Sequence, residues 1–120
     1  MFGAVGVASS AWTAHGLAAL VAAPDLPLAL SRAQTANQFL LLHAVALLGL
    51  SVAQRQAPSG WLTAAGGCWA LGVLGFCGGL MGLRVLAGVH SGPWLQVVPL
   101  GGLCLIVGWL LLAVAGWRGR

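Results

Sequence analysis

Charged residues are almost confined to the boundaries of long apolar runs in this sequence. Six of the 120 residues are charged, one acid and five arginines, and 60% of the residues are hydrophobic. A soluble chain of this size exposes much of its surface and needs many more charges to cover it. The sequence therefore predicts a chain that is solvated mainly by lipid, and it excludes a soluble domain of appreciable size.

Four apolar runs have the length of a membrane span, since a bilayer core of about 30 Å needs roughly 20 helical residues. They cover about residues 2–23, 36–53, 61–83 and 94–117. Because the runs are continuously apolar and do not alternate, they favour helices over the strands of a membrane barrel. We predict a single all-α domain over residues 1–120, an integral membrane four-helix bundle with antiparallel up-down topology and short loops.

The arginines predict how such a bundle is oriented. With four spans, both termini lie on one side together with Arg55, Arg118 and Arg120, whereas Arg32 and Arg84 lie on the other. The positive-inside rule then predicts cytoplasmic termini in a bacterial-type inner membrane. The first run lacks the basic start of a secretory signal, so we expect it to remain part of the protein.

Two histidines interrupt the first two runs. His15 lies past the middle of the first run and His43 lies before the middle of the second, which runs in the opposite direction. This pattern predicts two imidazoles at similar depth, and each needs a partner because an unpaired polar group in hydrocarbon is costly. They are either structural histidines bonded to carbonyl or hydroxyl groups, or a pair that binds something between the helices. We expect no cofactor, although a haem held by His15 and His43 is chemically possible.

A second polar group is expected at the external ends of the spans. It consists of Arg32, Asn37, Gln38 and Arg84. One interpretation is interfacial hydrogen bonding and capping, with the arginine stems extending to the membrane surface. The alternative is a polar pocket, in which an arginine meets a lipid phosphate or the carboxylate of a partner.

Glycines predict where the helices pack. The pairs Gly75/Gly79 and Gly78/Gly82 have the small-xxx-small spacing that lets two membrane helices approach closely. Two further glycines, Gly101 and Gly102, are candidates for the same role in the last run.

Several functions are excluded by what the sequence lacks. It contains no nucleophile–base pair, phosphate-binding loop or Cys/His cluster, so we predict no enzyme and no metal site. The three cysteines are expected to act as small packing residues. The arginines are scattered and form no basic stripe, which indicates contact with lipid head groups and no binding of nucleic acid.

Four motifs in sequence order resemble a known family. They are residues 12–17 (WTAHGL), 36–38 (ANQ) leading into 43–49 (HAVALLG), 76–80 (FCGGL) followed by Gly88, and 99–102 (PLGG) followed by Gly108 and Trp109. The chain is similar over nearly its whole length to the small membrane proteins called domain of unknown function 423, whose eukaryotic relative is transmembrane protein 256. The resemblance implies a four-helix inner-membrane protein without an assigned activity, in which His15 and His43 recur. Thr13 stands where the family usually has glycine, and the tyrosines common in the family are absent.

Three functions fit these features. The first is a non-enzymatic accessory or assembly subunit that docks laterally onto a larger inner-membrane complex of the respiratory or oxidase type. The second is a self-associating bundle that binds lipid, quinone or another apolar ligand near His15 and His43. The third is a small transporter or channel, for which the few polar residues make a thin path. The expected partners are membrane lipids and either other membrane subunits or further copies of the chain.

Overall fold

The computed structural model describes residues 1–89 and 91–118, and its regular structure is helical throughout. The all-α prediction is confirmed. Arg120, which contributes to the predicted orientation, lies outside the described residues. The elements are α1 (Phe2–His15), a 3-10 turn (Leu17–Ala19), α2 (Leu26–Gln56), α3 (Gly60–Gly78), a π-helix (Gly79–Leu86), a second 3-10 turn (Pro93–Gln96) and α4 (Val97–Arg118).

Three helical stretches are long and apolar enough to cross a membrane. They are Leu26–Gln56, Gly60–Leu86 and Pro93–Arg118, and they contain the three later runs of the sequence. The first run differs, because α1 has only 14 residues and gives way to the 3-10 turn. At 1.5 Å per residue it is about 21 Å long, shorter than a bilayer core of about 30 Å. The prediction of one continuous helix over residues 2–23 is therefore wrong.

Helix α2 begins at Leu26, well before the predicted start near Ala36. Pro27 lies in its first turn, where the missing backbone N–H would have no partner in the helix anyway. The following polar residues remain helical, and the Thr35 hydroxyl donates to the Ser31 carbonyl oxygen at 2.9 Å. Hydropathy ends a predicted span at polar residues, whereas backbone hydrogen bonding continues through them. The result is a helix in which a polar stretch, Ser31–Gln38, precedes a longer apolar stretch.

The helices form an open layer with extents of 54 × 29 × 16 Å. Helix α4 packs along α3, α2 packs on α3, and α1 packs on α2. In the part of the chain that the structure describes, α1 and α4 share no substantial contact. The central core contains residues of α2, α3 and α4: Ala36, Leu40, Trp69, Val73, Cys77 and Leu105. The four-helix bundle is thus open along one side.

Glycines bring the backbones of α3 and α4 together. A Cβ atom on Gly101 would collide with the backbone of Gly75 and Phe76, and one on Gly75 would lie 3.1 Å from the Cα atom of Gly101. A Cβ atom on Gly79 would lie 2.7 Å from the Val98 side chain. These close approaches explain why the two helices pack so extensively. Gly102 faces the Phe76 ring at an ordinary 3.5 Å.

The second glycine pair behaves differently. A Cβ atom on Gly78 or Gly82 would meet nothing within 4 Å. The predicted packing role of these two glycines is therefore wrong for contacts within the chain.

Candidate functional site

His43 lies at the centre of an aromatic cluster formed by α2, α3 and α4. Its side chain is 1% exposed. The ring centroids of Trp69 and Trp109 lie 5.9 and 6.0 Å from the imidazole, both in edge-on arrangements, and Phe39 stacks on it at 6.1 Å. Two of these neighbours are far from His43 in the sequence, so the cluster ties three helices together.

Hydrogen bonds determine the protonation of His43. Its Nδ1 atom lies 2.8 Å from the carbonyl oxygen of Phe39, which only accepts, so Nδ1 carries the proton and donates. The indole N–H of Trp109 donates to Nε2 at 3.2 Å. Both ring nitrogens are therefore occupied in the neutral imidazole. This geometry fits a structural histidine and leaves no free lone pair for a haem iron.

His15 is not near this cluster. It is the last residue of α1 and its side chain is exposed. The register of α1 on α2 is given by a hydrogen bond between Thr13 and Asn37 and by the proximity of Gly6 to Leu41. His15 thus lies level with the first half of α2, about eight residues or 12 Å along the axis from His43.

The predicted equal depth of the two histidines is therefore wrong. The sequence argument measured depth from the middle of a run that extended to residue 23. Because α1 ends at His15, that middle is misplaced. The two histidines therefore lie at different levels of the helix pair, and the predicted pairing of their side chains is not observed. In residues 1–89 and 91–118, no group of three His, Cys, Asp or Glu side chains could hold a metal ion.

A short chain of hydrogen bonds joins α1 to α2. The Asn37 side-chain amide donates to the Thr13 hydroxyl at 3.1 Å, and that hydroxyl donates to the Ser9 carbonyl oxygen at 2.8 Å. Since the hydroxyl proton is already used, the NH₂ group of Asn37 must face Thr13 and its Oδ1 must face away. Oδ1 is buried without a hydrogen-bond partner. Asn37 also lies in the wall of a crevice of about 250 Å³ between α1, α2 and α3.

The predicted external polar group is divided between two places. Arg32 and Arg84 lie in the walls of one crevice of about 260 Å³, together with Asp25. Asn37 and Gln38 instead line a separate crevice of about 290 Å³ beside α1. The structure therefore brings the two arginines together and separates them from the two amides.

Sequence reasoning did not identify the partners of His43. Phe39 is one helical turn before His43, a spacing that places both side chains on one face of a helix. Trp69 and Trp109 lie in the third and fourth runs, where no sequence pattern connects them with His43. Their approach to His43 depends on the glycine-mediated crossing of α3 and α4, for which no local pattern exists.

Comparison with known proteins identifies the family to which the chain belongs. The model of the family described as protein of unknown function DUF423 matches residues 9–102. The UPF0382 inner membrane protein YgdD of Escherichia coli K12 is 33% identical over 97% of this chain and 83% of its own length. A UPF0382 membrane protein of Haemophilus influenzae is 30% identical over 95% of this chain and 86% of its own length. No solved structure matches. The chain is therefore a small integral membrane protein that belongs to the DUF423 family.

Proposed function

We propose that the protein is a non-enzymatic accessory or assembly subunit that docks laterally onto a larger complex of the inner membrane. The inner-membrane location comes from the names of its relatives. In this proposal both termini are cytoplasmic, as the arginine distribution predicts. The observation that carries the proposal is the outer surface of α3.

This surface, which we call the glycine face, follows one side of α3. Its residues are separated by three or four positions and are all exposed: Gly60, Ala64, Gly67, Leu71, Leu74 and Gly78. Cβ atoms added to Gly60, Gly67 and Gly78 would meet nothing within 4 Å. The backbone of α3 is therefore accessible to another helix beside these three glycines, and the exposed Leu71 and Leu74 lie between Gly67 and Gly78.

The outer surface of α4 differs, because it has no exposed glycine between Val97 and Leu110. It carries large side chains that are more than half exposed, among them Leu100, Leu103, Ile106 and Leu110. Large apolar side chains of this kind are suited to contact with the acyl chains of lipids. Small residues are instead enriched where membrane helices pack on each other, because they permit van der Waals contact between backbones. The glycine face thus favours a transmembrane helix of a partner over lipid.

The test is to add bulk to the glycine face without disturbing the fold. We expect Gly67→Leu and Gly78→Leu to leave the helical content unchanged, because a Cβ atom at either position meets nothing within 4 Å. The matched control is Gly49→Leu, since Gly49 is exposed on α2 and a Cβ atom there also meets nothing. Each tagged variant is extracted from native membranes in mild detergent and analysed by native gel and mass spectrometry.

The proposal predicts that the unmodified protein and Gly49→Leu migrate with a defined larger complex, whereas Gly67→Leu and Gly78→Leu migrate alone. Retention of all four proteins in the complex would refute docking through the glycine face. Migration of the unmodified protein as a free homo-oligomer would refute the subunit role and would favour self-association.

Binding of an apolar ligand is the second candidate. A crevice of about 590 Å³ lies beside His43, between α2 and α4, and its walls are aromatic and aliphatic, including Phe39, Phe76 and Trp109. A quinone or lipid chain of suitable width fits such walls. Co-purification of one apolar molecule with the protein, and its loss in Ile106→Trp at the crevice wall, would support this candidate. Equal recovery from both proteins would count against it.

A further inference from the structure

A crevice at the opposite end of the molecule from Arg55 contains two of the five arginines and the only acidic residue of the sequence. It is enclosed by the segment after α1, the first turns of α2 and the π-helix, and it has a volume of about 260 Å³. Arg32 and Arg84 lie in its walls and are partly buried, and Asp25 lies in the same wall. The formal charge of the crevice is thus positive despite the acid.

No hydrogen bond of these two arginine side chains is seen among residues 1–89 and 91–118. The Nε atom of Arg84 is buried and has no hydrogen-bond partner. In the described part of the chain no hydrogen bond or ion pair connects Asp25 with either arginine, and Asp25 does not cap α2. A guanidinium group has five N–H donors in a fixed fork that matches the oxygens of a phosphate. Both arginines are only partly buried, so the other N–H donors of their guanidinium groups are available to an acceptor from outside the chain.

The rim of the crevice indicates where this acceptor comes from. Leu20, Leu28 and Leu86 line it and are 69%, 52% and 59% exposed. These side chains provide an apolar surface directly beside the two arginines. Free phosphate makes no favourable contact with an apolar surface. A phospholipid, by contrast, carries a phosphate and acyl chains next to each other.

We infer that the crevice between Arg32 and Arg84 binds a phosphate group, carried by the head group of an anionic phospholipid. The two guanidinium groups hold the phosphate oxygens, and the exposed leucines contact the acyl chains. The net positive charge of the crevice favours an anionic lipid over a zwitterionic one. This site is independent of the glycine face, so either can fail without the other.

The experiment measures lipid retention by the full chain. The protein is reconstituted in nanodiscs of phosphatidylcholine with or without phosphatidylglycerol, released into detergent and weighed by native mass spectrometry. We expect one phosphatidylglycerol to be retained in preference to phosphatidylcholine. Arg84→Gln and Arg32→Gln should each weaken this retention by about tenfold or more, the equivalent of one charged hydrogen bond. The matched control is Arg55→Gln, which removes the same charge from an exposed position at the other end of α2.

A second variant separates charge from geometry. Arg84→Lys keeps the charge but loses Nε and the fork, so its retention should lie between that of the unmodified protein and that of Arg84→Gln. Circular dichroism of each variant verifies that the helices are retained. In the arm with inorganic phosphate, displacement of the lipid by phosphate supports the site. Tight binding of phosphate without lipid retention supports the phosphate site but identifies its ligand as free phosphate.

Three results would overturn the inference. The first is equal retention of phosphatidylglycerol and phosphatidylcholine by the unmodified protein. The second is an equal loss in Arg55→Gln and Arg84→Gln, which would indicate general attraction to an anionic surface. The third is unchanged retention in a folded Arg84→Gln variant.

Discussion

Two overlapping pairs of glycines in α3 and the π-helix have the same spacing and different environments. A Cβ atom on Gly75 or Gly79 would meet the backbone or side chains of α4, whereas one on Gly78 or Gly82 would meet nothing within 4 Å. The first pair is covered by the protein itself, and the second pair remains open to the membrane. Small-xxx-small spacing therefore indicates a helix that another helix can approach, but it does not tell whether that helix belongs to the same chain.

The largest expected effect comes from a substitution that forces α3 and α4 apart. We expect Gly101→Leu to destabilise the protein by more than about 3 kcal/mol, because the added side chain collides with the backbone of Gly75 and Phe76, which cannot move aside as a side chain can. Unfolding in detergent micelles measures the change. Gly102→Ala is the control, since its Cβ atom makes an ordinary contact at 3.5 Å. Equal stabilities of the two variants would contradict the close crossing.

The second-largest effect is expected at His43, which is buried between α2, α3 and α4. His43→Ala should cost about 3 kcal/mol, because it leaves a cavity and removes the partner of the Trp109 indole. His15→Ala is the matched control and should change the free energy of unfolding little, since His15 is exposed. If both variants lost the same stability, the assignment of His43 as the structural histidine would be wrong.

A smaller change tests the hydrogen bond that crosses from α4 to α2. Trp109→Phe removes the indole N–H and keeps most of the aromatic contact, so we expect a loss of about 1 kcal/mol. Trp94→Phe serves for comparison, because Trp94 is 72% exposed in the 3-10 turn before α4. Unchanged stability of Trp109→Phe would show that the bond to Nε2 of His43 contributes nothing.

The smallest effect on stability is expected at Gly78. Gly78→Ala adds a methyl group that meets nothing and replaces glycine inside a helix, so the isolated protein should gain up to about 1 kcal/mol. Gly79→Ala, one residue later, should instead lose stability because its Cβ atom meets Val98 at 2.7 Å. Thermal unfolding measures both changes in stability. Changes of opposite sign would support the different environments of these two neighbouring glycines, and changes of the same sign would contradict them.

Hydropathy was sufficient to predict the helical class and the three later runs, because long apolar segments have no other way to satisfy their backbone in lipid. It failed at α1, where Gly16 and the following 3-10 turn end the helix inside an apolar run. It also failed at the start of α2, where polar residues remain helical. Boundaries are set by backbone hydrogen bonds, which hydropathy does not report.

The candidate sites were predictable only where local spacing decided them. Gly75 and Gly79 share a helix face, and their contact with α4 follows once two helices pack. The approach of Arg32 to Arg84 and of His43 to Trp109 depends on helix register, which the sequence does not state. A misplaced end of α1 was enough to move His15 from the level of His43 to that of the first half of α2.

The short α1 has a consequence for the surrounding bilayer. Its length of about 21 Å falls short of a hydrocarbon core of about 30 Å, whereas its neighbour α2, with 31 residues, extends about 46 Å. Hydrophobic mismatch of this kind thins the bilayer locally, and here the thinning is expected only on the side of the protein that α1 occupies. We expect the chain to tilt or to collect short-chain lipids on that flank, and to prefer thin membranes to thick ones.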